Sequence, residues 1–417
     1  MDTRKNSIVF SPAYIGKVEI KNRLVRSATY ENAATPDGYV TELLVDIFKT
    51  LAKGGVGLII TGIWGVDKKG LSAHFVPRIY DDAFIPGIRK ISQVVHSSGD
   101  DCKIMAQLHH PGRQVVHPEV IPRFSSFFPK AYLSYIKQNR EALRAQKLPS
   151  LDIEATAPSP VPDTLFERTP RALTVEEIEE IIKAFAEAIG RAEEGGMDGV
   201  QLHAAHGYLL STFLSPRTNL RDDRYGGSTE NRTRILVEIY ERARKKVSEN
   251  FPITVKMNTT DFLVGGMDVD EATRVGQILS ETGFAAIETS GGMWEAVTRS
   301  REELHWPPVI FPESRTEIKS PDQEAYFLPG AKAMKQIIDK PVILVGGLKS
   351  FDKIESILQA GEADLVALSR PLIRQPDLPH IWLHRSGNDK AECISCNACI
   401  PLLKEPLRCR AKRNHND

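Results

Sequence analysis

Apolar residues along the chain fall into eight short runs, at 24–30, 57–62, 103–108, 199–203, 253–258, 285–290, 341–346 and 364–369, and most are separated by stretches of helical period. Runs this short, rich in Val, Ile, Leu or small residues, read as strands, and their alternation with helices predicts a parallel sheet. Thr174-Val175-Glu176-Glu177 reads as a capping box. Ile178, Ile181, Ile182, Phe185 and Ile189 then recur at helical spacing until Gly195-Gly196 ends the pattern. Ala83 to His96, Asp270 to Leu279 and Asp352 to Gln359 carry similar spacing, as crossover helices should. Eight strands with crossover helices make an α/β fold of the (β/α)8 TIM-barrel type, in which polar residues at the C-terminal strand ends line one mouth. An open doubly wound sheet is the rival. It would want a Gly-rich fingerprint after its first strand, and the residues following 24–30 have none.

Two segments interrupt the barrel pattern. Between Pro111 and Pro170 the chain shows no strong period, many prolines and a basic, helical-looking stretch from Ala131 to Lys147. Connections of this length are usually lids or binding loops, so 111–170 reads as a cap beside the mouth, with a solvated excursion over the barrel edge as the alternative. A second insertion, Trp294 to Phe327, follows the sixth strand and adds aromatic and charged residues on the same face. Substrate choice is expected in these two insertions, after strands 3 and 6. The expected organisation is a barrel over 1–385 and a short cysteine-rich tail over 386–417.

Composition narrows the function classes. The 417 residues, 41% hydrophobic, can bury a large core, and 54 Lys plus Arg against 54 Asp plus Glu leave no global basic field for nucleic acid or an anionic membrane. The polar N-terminus and the lack of any apolar stretch long enough to cross a bilayer lead to the expectation of a soluble, cytoplasmic protein. Cys102 stands alone at the start of the third strand and reads as a small core residue. The other four cysteines crowd into the last 25 residues, which is not the layout of a secreted disulfide framework.

Candidate chemistry follows strand 199–203. His203, His206 and Tyr208 lie within six residues, where a barrel directs side chains into its mouth. One alternative has the histidines cap the next helix. Another makes them a metal site on a hydrolytic barrel, a reading that lacks a third ligand and a nearby carboxylate base. The seventh strand ends in Gly346-Gly347 and the eighth in Ser369-Arg370, and the loops after strands seven and eight commonly hold a phosphate. The glycine pair alone is more often a plain turn; the arginine one strand later favours the phosphate. Gln107 and Lys256 add an amide and a positive charge nearer the axis, suited to an anionic cofactor.

NRLVRSA at 22–28, QLHHPGR at 107–113, HAAHGY at 203–208, LSPRTN at 214–219, YGGSTENR at 225–232, Val345-Gly346-Gly347 and Ser369-Arg370 resemble, in this order, the old yellow enzyme family of flavin-dependent ene-reductases. The resemblance runs from about Phe10 to about Pro379 and implies one FMN-binding eight-stranded barrel. It implies that His203 and His206 donate to the carbonyl oxygen of an α,β-unsaturated substrate, and that Tyr208 protonates the α-carbon. By the same resemblance Gln107 meets the flavin pyrimidine edge, and Lys256 stands where relatives usually carry arginine. Gly346, Gly347, Ser369 and Arg370 match the phosphate site, while Ser27, Ala28, Thr29 and Gly62 approach the flavin. Tyr30 is a departure, since relatives carry a small threonine or cysteine there; as a substrate-facing phenol it would narrow the pocket or tune the flavin, and it could equally pack against the insertion. The implied partners are NADH or NADPH as reductant and a small enone-type substrate in a ping-pong cycle; a homo-oligomer stays open.

Cys393, Cys396, Cys399 and Cys409 have metal-ligand spacing, similar to the cluster motif of trimethylamine dehydrogenase and bacterial 2,4-dienoyl-CoA reductase. Four thiolates suit a [4Fe–4S] cluster or a structural zinc, and a metal-free remnant is the third reading. The last interval is shorter than in those relatives, and no nucleotide-binding domain follows before Asp417, so a cluster is expected to lack an acceptor in this chain. The second functional reading is an iron–sulfur flavoprotein that passes electrons to a partner or acts as a dienoyl-CoA reductase or demethylase-like enzyme.

Overall fold

The computed structural model describes residues 3–98, 100–115, 153–165, 167–309, 311–384, 389–401 and 405–411. Two short strands, β1 (Ala13–Ile15) and β2 (Val18–Ile20), form an antiparallel hairpin ahead of the barrel. The barrel strands are β3 (Leu24–Arg26), β4 (Leu58–Gly65), β5 (Lys103–His109), β8 (Gly199–Ala204), β9 (Ile253–Asn258), β10 (Ile287–Ser290), β11 (Val342–Val345) and β12 (Leu365–Leu368). They are parallel and close on themselves in the order β10-β11-β12-β3-β4-β5-β8-β9, which removes the open-sheet rival. A small parallel pair, β6 (Thr156–Ala157) with β7 (Arg171–Ala172), lies in the first insertion.

All eight apolar runs became barrel strands. The run at 24–30 is the most shortened. The strand ends at Arg26; Ser27 N still donates to Leu368 O of β12 at 3.0 Å, while the Ser27 hydroxyl donates to Glu288 and the Thr29 hydroxyl to Ser27 O. The helix Val175–Glu194 starts on the anticipated capping box, with Thr174 and Glu177 bonded reciprocally, and is capped at Gly195. The helix Ile85–Ser98 begins two residues later than its apolar pattern because a 3-10 turn at Asp82–Phe84, capped by the Asp81 carboxylate, comes first. Asp268 caps the helix Val269–Thr282, which ends at Gly283 in the left-handed region, φ 115°.

Two apolar layers hold these elements. The outer one packs helix faces such as Ile178, Ile182, Phe185 and Ile189 against the strands. The inner one is a plug at the N-terminal end, where Ile15 and Ile20 of the hairpin meet Val25, Leu58, Ile60, Met105, Ile343 and Leu365. Full burial of such a side chain stabilises by about 1.5–3 kcal/mol, so this end is closed by packing and the opposite end is left for chemistry. Cys102 is buried, and burial pushes its thiol up to about 12, as a core residue rather than a nucleophile.

Most of the first insertion, including the basic stretch from Ala131 to Lys147, lies outside the described residues. The second carries a 3-10 turn at Trp294–Thr298, a short helix Arg301–Leu304 and a small apolar cluster of Leu304, Trp306 and Val309. The tail rests on the barrel mouth. Ala391 N donates to Lys349 O at 2.7 Å, Glu392 N to Gln375 Oε1 at 2.7 Å, and Leu407 N to Glu31 O at 2.8 Å, which docks it on the loops after β11, β12 and β3. Among the described residues no helix is long and apolar enough to cross a membrane.

Candidate active site

Side chains alternate along a strand, so residues two apart on β5, β8 and β10 enter the barrel one above the other. Gln107 and His109, Gln201 and His203, and Glu288 and Ser290 form three such pairs, all buried. Each pair contributes one residue to a lower layer and one to the mouth.

The lower layer is charged and closed. Gln107 Nε2 donates to Gln201 Oε1 at 2.8 Å, and Gln201 Nε2 to Glu288 Oε2 at 2.8 Å. Lys256 Nζ reaches Glu288 Oε1 at 3.0 Å and the Ser27 hydroxyl at 3.1 Å, and that hydroxyl donates to Glu288 at 2.7 Å. The lysine is thus compensated by a carboxylate that is itself fully hydrogen-bonded, the condition under which a buried ion pair is tolerable.

The mouth layer is a row of imidazoles. Ser72 Oγ contacts His109 Nε2; His109 Nδ1 lies 3.1 Å from His203 Nδ1; His203 Nε2 lies 3.2 Å from His206 Nδ1; and His206 Nε2 lies 2.7 Å from Ser290 Oγ. Burial pushes all three imidazoles well below their ordinary range; neighbouring imidazoles push the same way, and so does the Lys256 ammonium for His203 and His206. All three are neutral at pH 7. The Tyr208 ring stands edge-on to His109 at 4.4 Å, tilted over His203 at 4.8 Å, and against Trp294 of the second insertion at 5.6 Å. Burial, with the Glu313 carboxyl and Tyr30 adding to it, raises the Tyr208 phenol, so it stays protonated. The histidines do not cap the following helix: its N-cap is Tyr208, without a side-chain bond, and His206 sits at φ 65°.

His109 and Glu313 correct one expectation, that no third ligand or carboxylate stood near the pair. His109 joins it directly, and Glu313 Oε1 lies 3.9 Å from His206 Nδ1. Even so, among the described residues no group of three or more His, Cys, Asp or Glu is arranged to hold a metal. Glu313 keeps one carboxyl oxygen buried without a partner, and burial raises it to about 7 against the pull of Lys256 and Arg370.

On the opposite side, Gly346 (φ 137°) and Gly347 (φ 70°) turn the chain after β11 in conformations that favour glycine. A Cβ on Gly347 would come within 2.7 Å of the Tyr326 ring. Arg370 Nη1 donates to Arg315 O at 2.8 Å and to Asn397 Oδ1 at 2.7 Å, both neutral acceptors. Asn397, between Cys396 and Cys399, also donates to Ser314 O at 2.5 Å, so the tail buttresses this corner. Ser369 Oγ pairs with Thr29 Oγ1 at 2.8 Å, beside half-buried Ala28. Gly62 N donates to Glu31 Oε1 at 2.9 Å, and a Cβ there would collide with that carboxylate. Half-buried Tyr30 donates to Asn32 Oδ1. Burial pushes the Cys399 thiol up to about 12; Arg370 opposes the shift and Cys393, Cys396 and Cys409 add to it.

The structure therefore gathers His203, His206, Tyr208, Gln107, Lys256 and Ser27 around the axis, and Thr29, Gly346, Gly347, Ser369 and Arg370 at one corner. Sequence reasoning passed over Gln201, Glu288, His109, Ser290, Glu313 and Asn397. For Gln201 and Glu288 the signal was a polar residue inside a buried apolar strand; for Glu313 and Asn397 no local signal existed.

The model of the NADH:flavin oxidoreductase / NADH oxidase family matches residues 8–384. The NADH oxidase of Thermoanaerobacter brockii is 34% identical over 394 residues, covering 94% of this chain and 53% of that protein, so the chain spans about half the length of this relative. Among solved structures, 2-naphthoyl-CoA reductase in complex with 2-naphthoyl-CoA superposes with a TM-score of 0.76 at 24% identity over 94% of this chain and 54% of that one. The old yellow enzyme homologue from Zymomonas mobilis gives 0.67 at 25% identity, covering 94% and 99%. Matched along most of its length and carrying that barrel, the chain belongs to the NADH:flavin oxidoreductase / NADH oxidase family.

Proposed function

We propose that the protein is an FMN-dependent oxidoreductase that takes hydride from NADH or NADPH and reduces an activated C=C bond next to a carbonyl. The observation that carries this reading is the pair of neutral imidazoles, with facing nitrogens 3.2 Å apart, beside a phenol held protonated. Two neutral N–H donors aimed at one oxygen stabilise the negative charge that grows there as the β-carbon is reduced.

The residues fit an FMN. Arg370 spends its bonds on neutral acceptors, which leaves its charge for a phosphate, and the Gly346-Gly347 turn lets the backbone come close. Gly346, Gly347, Ser369 and Arg370 would hold the phosphate. Gln107 and Lys256 would face the pyrimidine edge, and Ser27, Ala28, Thr29 and Gly62 would line the ring. When bound, an FMN would supply the hydride-transfer chemistry between the nicotinamide and the substrate β-carbon. His203 and His206 then hold the carbonyl oxygen, and Tyr208 gives its proton to the α-carbon. Tyr30 would border the substrate. The 2-naphthoyl-CoA bound by the structural relative is an aromatic thioester, a carbonyl next to unsaturation, which agrees with this substrate class.

The test is a visible spectrum of protein purified without oxygen. Flavin bands that bleach on adding NADPH or NADH and return on adding 2-cyclohexenone support the reading. A protein that takes up no FMN when it is supplied rejects it. The second reading, an iron–sulfur flavoprotein passing electrons onward or reducing dienoyl-CoA-type thioesters, rests on the sequence spacing of the four cysteines, which among the described residues are not arranged to hold a metal. Stoichiometric iron bound by Cys393, Cys396, Cys399 and Cys409 would select it; zinc, or no metal, would not.

A further inference from the structure

We propose that Ser290 at one end, and His109 with Ser72 at the other, are positioning residues that select the tautomers of His203 and His206, so that both imidazoles present an N–H to one ligand oxygen. The inference rests on the reading of that pair as the carbonyl site.

Proton counting leads there. A neutral imidazole has one donor and one acceptor nitrogen, while a hydroxyl can donate or accept by rotating. His203 Nε2 and His206 Nδ1 face each other across 3.2 Å, so without a ligand only one of them carries the proton in the gap. Two arrangements satisfy every member of the row. In one, each group donates to the next from Ser72 towards Ser290; in the other, every bond is reversed. Neither offers two N–H groups to a ligand.

A ligand oxygen that sits beside the pair and takes a bond from each facing nitrogen, in place of their mutual bond, needs hydrogen on both. His203 then has a bare Nδ1, which must accept from His109 Nδ1 at 3.1 Å, and His109 in turn must accept at Nε2 from the Ser72 hydroxyl. His206 has a bare Nε2, which must accept from the Ser290 hydroxyl at 2.7 Å. Each ring that switches loses a proton from one nitrogen and gains one at the other, so its charge stays zero. Only groups able to both donate and accept permit this change, and serines occupy both ends. An imidazole that met a carboxylate there would keep its proton on the outer nitrogen. Ser290 is fully buried, so no bulk water takes over its role.

The test uses the FMN-loaded enzyme labelled with 15N-histidine and 4-nitrophenolate as the acceptor probe. The wild-type complex should show His206 as the Nδ1–H tautomer and His203 as the Nε2–H tautomer. Ser290→Ala should return His206 to the Nε2–H form that free histidine prefers and weaken 4-nitrophenolate about tenfold, while Ser290→Thr should restore both. His109→Phe should weaken the probe similarly, and His109→Gln, with a donor and an acceptor, should recover it. Matching Nε2–H tautomers in the wild-type complex, or unchanged affinity and tautomers in Ser290→Ala, would overturn the proposal. Failure of the wild-type enzyme to bind the probe, or binding indifferent to His203→Ala, would overturn the carbonyl-site reading together with it.

Discussion

The two polar layers of the barrel share β5, β8 and β10 and differ by a step of two residues, yet they obey opposite electrostatics. Below, Lys256, Glu288, Ser27, Gln201 and Gln107 bind one another in a single compensated arrangement. Above, Ser72, His109, His203, His206 and Ser290 form a neutral row with two equivalent directions. A charged cluster is expensive to disturb because each buried charge depends on its partner. A neutral row costs little to redirect and can hand its donors to a ligand. The lower layer is therefore suited to hold a fixed partner, and the upper one to exchange partners during a cycle.

The comparison breaks hardest at Lys256. Lys256→Met leaves Glu288 buried without its cation and should cost about 3–5 kcal/mol in denaturant unfolding, with much of it recovered by adding Glu288→Gln. A loss near zero would mean that the layer is hydrated. Next, Tyr208→Phe should slow enone reduction about a hundredfold while flavin reduction by NADPH keeps its rate, since a proton donor acts in only one half-reaction. Equal slowing of both half-reactions removes Tyr208 from that role. His203→Ala with His206→Ala should weaken 4-hydroxybenzaldehyde about thirtyfold, as two lost hydrogen bonds of roughly 1 kcal/mol each imply, and leave FMN bound; departure of the FMN would contradict the assignment of the upper layer.

Two smaller effects sharpen the contrast at its edges. Asn397→Ala should weaken FMN about tenfold and leave riboflavin unchanged, because Asn397 bonds Arg370, the residue that in the proposed function would meet the phosphate. Equal losses for both flavins would make Asn397 a general strut. Glu313 is raised to about 7 from 4.5 by burial, so between these values the folded protein keeps a proton that the unfolded chain has lost. Its contribution to stability therefore falls as pH rises from 4.5 to 7 and is level above. Melting temperatures of the wild-type protein should drop more over that interval than those of Glu313→Gln, and parallel curves would place the carboxyl in water.

The sequence by itself determined the eight strands, the capping box at Thr174, the apolar helix faces and the placing of His203, His206, Tyr208, Gly346, Gly347 and Arg370 at strand ends. These follow from backbone geometry and side-chain period, which act over a few residues. Even Gln201 and Glu288 were visible as polar interruptions in apolar strands, although their partners were not. Only the tertiary structure decided that Glu288 meets Lys256 and Ser27, that His109 extends the histidine pair, that Glu313 comes beside His206, and that the tail's Asn397 bonds Arg370. Such meetings depend on strand register, barrel closure and the docking of long connections, where residues from 27 to 261 positions apart come within hydrogen-bond reach and no local pattern records the encounter.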